Sequence, residues 1–199
     1  MPRRGRILTG EMGPPSEFAN QVRVCTDRLA EIGVDALGAL YDLTSQRLLR
    51  LAVAVTRNQH DAEDAVQAAL VRVARQPRLM AHVERPWPYL LQMVRNEALL
   101  VARRKQRCVA AGNLTDLAVV RRVDELEQED AHRAVWSALR SLPREQAEVV
   151  VLKIWESLTL AEIAVILATS PNTVASRYQY GMAKLSRRLV RTAEEARDG

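Results

Sequence analysis

The chain has 199 residues, of which 48% are apolar and only 4% aromatic, with a single Phe. That is room for one large or two small domains whose cores are packed through small aliphatic side chains. A net charge of +5 points to a phosphate-rich or acidic partner, while 24 acidic residues exclude a uniformly basic tail. Cys25 and Cys108 are isolated, and His60, His82 and His132 are scattered without metal-ligand spacing. The expectation is free thiols, no disulfide scaffold, no metal site and no cofactor. No stretch is apolar for long enough to span a bilayer, and the basic start lacks the apolar run of a signal peptide. A cytoplasmic chain without membrane insertion is therefore expected. No glycine-rich phosphate loop, nucleophile elbow or paired-carboxylate constellation stands out, so enzyme is the least supported class and no catalytic residue is assigned.

Residues 1–34 read as a variable N-terminal arm, weakly ordered up to about Asp27. Helical spacing opens around Asp35, with Leu37, Leu40, Tyr41, Leu48, Leu51, Ala52 and Val55 on one face, and stops at Arg57–His60. A second helix is expected from Asp61 as N-cap, with Glu63 and Asp64 in its first turn, where acids complement the helix dipole. Its buried stripe is Ala62, Ala65, Val66, Ala69, Leu70 and Val73, and Gln76-Pro77 ends it. After a loop containing ERPWP, a third helix is expected near Tyr89. It carries Leu90, Met93, Val94 and Val101 inward and finishes in the basic run Arg103–Arg107. Four charges in five residues exceed what capping a helix end requires.

From Cys108 to about Asp130 the periodicity fades, Gly112-Asn113 marks a break, and a short acidic run follows; this segment reads as a flexible linker. Helical spacing resumes with Ala131, Ala134, Val135, Ala138, Leu139 and Leu142, stops before Pro143 and restarts at Arg144. Val149–Leu152 could be a strand on propensity alone, but it sits in a helical frame and is assigned to a helix.

The stretch Thr159–Leu189 reads as two helices joined by a tight turn. Thr159 and Glu162 have capping-box spacing, and Leu160, Ile163, Ala164 and Leu167 share a face. Ala168-Thr169 breaks the pattern, Ser170 is a good N-cap, and Pro171 sits where its missing N–H is harmless. The second helix buries Val174, Met182 and Leu185 and leaves Asn172, Thr173, Ser176 and Arg177 near its exposed start. Short polar and guanidinium groups at a helix N-terminus suit a major-groove reader.

DAEDAVQ (Asp61 to Gln67), YLLQMVRN (Tyr89 to Asn96) leading to a basic cluster, SLPREQAEVVVLKIWESLTLAEIA and SPNTVASR, in that order, resemble extracytoplasmic-function sigma factors. These are the smallest members of the bacterial sigma-70 family of transcription initiation factors. The resemblance runs from about Asp35 to Arg191 and implies an all-α fold of two small helical domains. A region 2-like domain over 35–107 would be joined by a linker over 108–130 to a region 4-like helix-turn-helix domain over 131–199. It implies core RNA polymerase and promoter DNA as partners, and an anti-sigma factor is usual for the family. Asp61, Glu63, Asp64 and Gln67 would dock on the polymerase. Trp87, Tyr89, Arg95, Asn96, Arg103, Arg104 and Lys105 would handle the −10 element, rings stacking on bases and cations tracking phosphates. Asn172, Thr173, Ser176 and Arg177 would read the −35 element, with Lys184, Arg187 and Arg188 near phosphates. The chain departs from the family pattern at Leu100, where an acid is common, and at Ala175 and Tyr180, where bases are common.

The competing reading is a stand-alone helix-turn-helix regulator that binds operator DNA as a dimer. The first block decides against it, since an acidic helix start followed by an aromatic–Asn–basic segment has no use in a simple operator binder. An adaptor that only mimics a sigma domain would not need the basic side chains of the last helix.

Overall fold

The computed structural model describes residues 16–110 and 130–195, and among them every regular element is helical. In chain order these are α1 (Glu17–Ile32), a 3₁₀ turn (Gly33–Ala36), α2 (Leu37–Thr56), α3 (Gln59–Arg75), the short α4 (Pro77–Ala81) and α5 (Pro86–Ala110). After the linker come α6 (Asp130–Ser141), α7 (Arg144–Ile154), α8 (Leu160–Leu167) and α9 (Pro171–Glu195). The expected linker interior, including Gly112-Asn113, lies outside the described residues.

Helices α2, α3 and α5 pack on one another and form the first bundle. The whole predicted stripe of α3 is buried. Leu40, Leu48, Leu51 and Ala52 of α2 and Leu90, Leu91, Val94 and Ala98 of α5 are likewise fully excluded from solvent. Ala at three of the six buried α3 positions lets the helices approach closely, which is how a chain so poor in aromatics fills its core. Tyr41, expected on the buried face of α2, is instead exposed. In the second bundle α6, α7 and α8 all pack on α9. Val149–Leu152, the apolar run that could have been a strand, is the fully buried centre of α7.

Three boundaries differ from the sequence expectation, each for a local reason. The arm is helical from Glu17. Ser16 accepts the Ala19 N–H at its start, and Gly33 ends it at a φ of 73° that a side chain would resist. Its Val22, Thr26 and Leu29 are buried where α1 lies across α2, α4 and α5. Helix α3 is capped not by Asp61 but by Asn58, whose extended backbone lets its side chain accept the Asp61 N–H at 3.0 Å. Helix α5 begins three residues before Tyr89, because Pro86 and Pro88 occupy a first turn in which no N–H is needed.

The two bundles also touch: α2 packs against α7, and α5 against α8.

Candidate nucleic-acid interface

The turn between α8 and α9 is built as its residue types dictate. Thr159 and Glu162 form the reciprocal capping box, and Ala168 takes the left-handed conformation (φ 51°) that closes α8. The Ser170 hydroxyl accepts the Thr173 N–H at 3.1 Å and also contacts the Thr173 hydroxyl. Asn172 and Ser176 are therefore exposed at the free N-terminal end of α9, with the Ser176 hydroxyl donating to the Asn172 carbonyl. Thr173 and Arg177 are half-buried beside them. Arg177 lies within electrostatic reach of Glu145. That carboxyl is held below its ordinary value, chiefly by its own backbone N–H at the start of α7, against burial, with Arg144 and then Arg177 adding to the effect. Val174 and Leu185 are buried as expected and Met182 is half-buried, so α9 is held by one face and offers the other. Further along, Lys184, Arg187, Arg188 and Arg191 line a shallow groove with Ser141 and Leu142. Tyr180, at a position of departure from the family pattern, is 65% exposed on the same helix.

The first bundle treats its predicted residues less uniformly. Asp64 and Gln67 are exposed on α3, but Asp61 accepts from the Lys105 ammonium of α5 at 3.0 Å, and Glu63 accepts from Gln59. An expected docking acid and an expected −10 cation thus neutralise each other. Asn96, Arg103 and Arg104 are exposed along α5. Tyr89 is half-buried and Trp87 is 2% exposed, its ring edge-on to Phe18 at 4.9 Å between centroids. Trp87 therefore packs here, with no face open to a base. Arg95 donates to Glu148 of α7 at 2.6 Å.

Comparison with known proteins gives this geometry its context. The sigma-70 region 2 profile matches residues 40–108, and the sigma-70 region 4 profile matches residues 132–185. The RNA polymerase sigma-E factor of Streptomyces avermitilis is 32% identical over 152 residues, spanning 75% of this chain and 83% of that protein. The extracytoplasmic-function sigma factor SigM of Mycobacterium tuberculosis is 30% identical over 154 residues, 77% of each chain. The chain belongs to the extracytoplasmic-function sigma factors of the sigma-70 family. It is a transcription initiation factor, of a family whose members are not catalysts themselves. Two solved structures share the fold. CnrH in complex with the cytosolic domain of CnrY has a TM-score of 0.58 and 22% identity, over 84% of this chain and 96% of that one. The sigma factor RpoE of Bartonella quintana, in complex with the anti-sigma factor NepR, has a TM-score of 0.63 and 18% identity, over 78% and 98%.

What the sequence did not reveal in this sigma factor is the ionic contact between its bundles. Arg47 of α2 donates to Glu156, in the α7–α8 turn, at 3.2 Å, and Arg50 stands 3.9 Å from the other carboxylate oxygen. Arg85 pairs with Glu162 at 2.9 Å. Arg57, in the left-handed position that ends α2, donates to the carbonyls of Leu139, Arg140 and Leu142 at the end of α6. A cavity of about 220 Å³ lies at this seam, walled by Arg23, Arg85 and Trp87 on one side and Glu156, Thr159 and Glu162 on the other. The one local hint was Glu148, an acid set among Ala147, Val149 and Val150 at core spacing.

Glu156 is the strained member of this set. Burial pushes its carboxyl above the ordinary value, although Arg47, by charge and hydrogen bond, and then Arg50 pull it back down. Its Oε1 has no hydrogen-bond partner. A raised value in the folded form means that the folded form takes up the proton more readily than the unfolded chain. The Glu156 charge therefore opposes folding at neutral pH, and the penalty disappears as pH falls through the raised value. Glu156→Gln is expected to raise the melting temperature at pH 7.5, with the gain shrinking as pH falls through the raised Glu156 value toward the ordinary carboxylate range. Comparing the two proteins at each pH cancels the other titrating groups. A gain that grows on acidification would refute the assignment.

Proposed function

We propose that the α1–α5 bundle docks on core RNA polymerase and opens the −10 element while α9 reads the −35 element. The observation that carries this reading is the exposed polar start of α9, set by the Thr159–Glu162 capping box and the Ser170 cap. It presents Asn172 and Ser176, with Thr173 and Arg177 beside them, at the end of a helix held by its opposite face. Base-edge contacts from this end would discriminate, while Lys184, Arg187 and Arg188 would fix register through phosphates. On the first bundle, Arg95, Asn96, Arg103, Arg104 and Lys105 of α5 would contact a melted strand, with Tyr89 as the accessible ring. Asp64 and Gln67, with Asp61 and Glu63 nearby, are the polymerase-facing group on α3. The chain has no active site of its own and borrows the catalysis of the polymerase. It works in the cytoplasm; no described helix is long and apolar enough to cross a membrane. An anti-sigma factor is the expected regulator, in keeping with the complexes of the two structural neighbours.

The test is run-off transcription by bacterial core polymerase on genomic promoter fragments, with and without the protein. Specific transcripts that require the protein are expected. The Arg103→Ala, Arg104→Ala, Lys105→Ala triple variant should lower open-complex formation about tenfold or more, while leaving −35 fragment binding within about twofold, since each lost cation removes about one phosphate contact. Arg177→Ala should do the reverse. Equal loss in both assays for the triple variant would remove those side chains from melting. Specific duplex binding by the protein alone, without transcripts, would favour an operator-binding regulator.

A further inference from the structure

Tyr180 stands at a position where basic residues are common in the family, and neither the core nor the polar start of α9 accounts for it. It is the most exposed of the large apolar side chains among the described residues, at 65%. Tyr178, two residues earlier, packs against the core instead. A single exposed ring is ordinary on a protein surface; its place on α9 gives it meaning. Asn172, Ser176 and Tyr180 follow one another at four-residue spacing, so they share a face that drifts by only about 40° per step. Val174, Gly181 and Leu185 are buried on the opposite side. Tyr180 lies about 12 Å beyond Asn172 along the helix axis, which is about the width of the major groove. Long side chains on a helix lean toward its N-terminus, over the preceding turn. The Tyr180 ring therefore covers the turn of Ser176 and Arg177, on the base-reading side, and not the turn of Lys184. Ala183, which leans toward it from the next turn, is exposed and too small to cover the ring.

We propose that Tyr180 is a specificity residue that recognises thymine through its C5-methyl group, so that the −35 element served by this chain carries a thymine opposite the ring. The proposal rests on the assignment of α9 to the −35 element. The chemistry of the groove selects the ligand. Base pairs present hydrogen-bonding groups to the major groove, and the thymine methyl is the one apolar group among them. A guanidinium at this position would grip guanine or a phosphate. A ring supplies no cation, and gains instead by excluding water from a methyl group. Asn172 suits adenine, and Ser176 serves any of several bases. Tyr180 thus adds an apolar step to a polar readout, and its hydroxyl is not required for that step.

The experiment uses holoenzyme assembled from bacterial core polymerase and the full chain. A promoter obtained from the run-off assay is randomised upstream of the melted segment, and the templates that holoenzyme binds are selected and sequenced. The selection is repeated with Tyr180→Ala, Tyr180→Phe and Tyr180→Arg, each checked for folding by circular dichroism. The selected thymine is then replaced by uracil, which keeps every hydrogen-bonding group and lacks only the methyl. Assembly of each variant with core polymerase is measured in parallel by co-elution.

The expected result is a thymine preferred by the parent and by Tyr180→Phe, and lost in Tyr180→Ala and Tyr180→Arg, while the other preferred positions persist. Uracil in its place should weaken parent binding about fourfold, the effect of burying one methyl-sized group, and leave Tyr180→Ala unchanged. Identical preferences in the parent and Tyr180→Ala overturn the assignment. So does poorer assembly of Tyr180→Ala with core polymerase and an equal loss on every template, which would place the ring on the polymerase. A preference that vanishes in Tyr180→Phe overturns methyl recognition in favour of the hydroxyl. A parent that selects no upstream base overturns the −35 assignment of α9, and the reading of Tyr180 falls with it.

Discussion

Trp87→Ala is expected to lower stability by about 3–5 kcal/mol, the range for emptying a buried Trp site, read as a fall in the urea midpoint followed by circular dichroism. The indole is 2% exposed and meets the Phe18 ring edge-on, with an interplanar angle of 77°. The Arg47 guanidinium lies 3.8 Å from the centroid of the same Phe18 ring. Trp87 thus anchors a stack that ties α1 to α5 and to the arginine that holds Glu156. Its Nε1 is buried without a hydrogen-bond partner, so the site uses the volume of the ring and not its donor. Trp87→Phe should accordingly recover most of the lost stability, because it keeps an aromatic ring and removes an unsatisfied donor. If the ring served the DNA instead, Trp87→Ala would leave the urea midpoint unchanged and lower open-complex formation alone.

Trp87 also marks the boundary of what the sequence could disclose. An aromatic beside two prolines and a cationic helix reads equally well as a stacking platform or as a core anchor. The choice depends on α1, which lies more than fifty residues away in sequence. That helix was hidden because its buried face is sparse, only Val22, Thr26 and Leu29 in 16 residues, and much of its stability comes from tertiary cover. Ser16 and Gly33 were the local signals at its two ends. The elements that were legible are those whose determinants are local: the alanine stripe of α3, the Thr159–Glu162 box, Ser170-Pro171. The contact between the bundles was not legible. Its pairs join residues 53 to 109 positions apart, and each arginine taken alone looks like a solvated helix position. Asp61 illustrates the same limit on a smaller scale, since its partner Lys105 is 44 residues away.

Substitution at Gly181 should act on the packing beneath α9, and its effect should depend on one neighbour. A Cβ at this position would stand 3.0 Å from Val150 Cγ2 and 3.5 Å from Gln146 Cβ, where α9 crosses α7. Two effects oppose each other in Gly181→Ala. Replacing glycine inside a helix gains about 1 kcal/mol. The overlap with Val150 takes back a similar amount or more, because that residue is 1% exposed and a β-branched side chain has essentially one rotamer in a helix. The net change in Gly181→Ala should therefore lie within about 0.5 kcal/mol of zero or be destabilising. Gly181→Val drives further carbons into α7 and should cost about 2–3 kcal/mol, weakening −35 binding as α9 lifts from its support. The double-mutant cycle isolates the cause. In a Val150→Ala background the obstructing methyl groups are gone, and Gly181→Ala should then stabilise by about 1 kcal/mol. A gain of that full size in the parent protein would mean that α7 yields freely, and that Gly181 is not what sets the distance between the recognition helix and its scaffold.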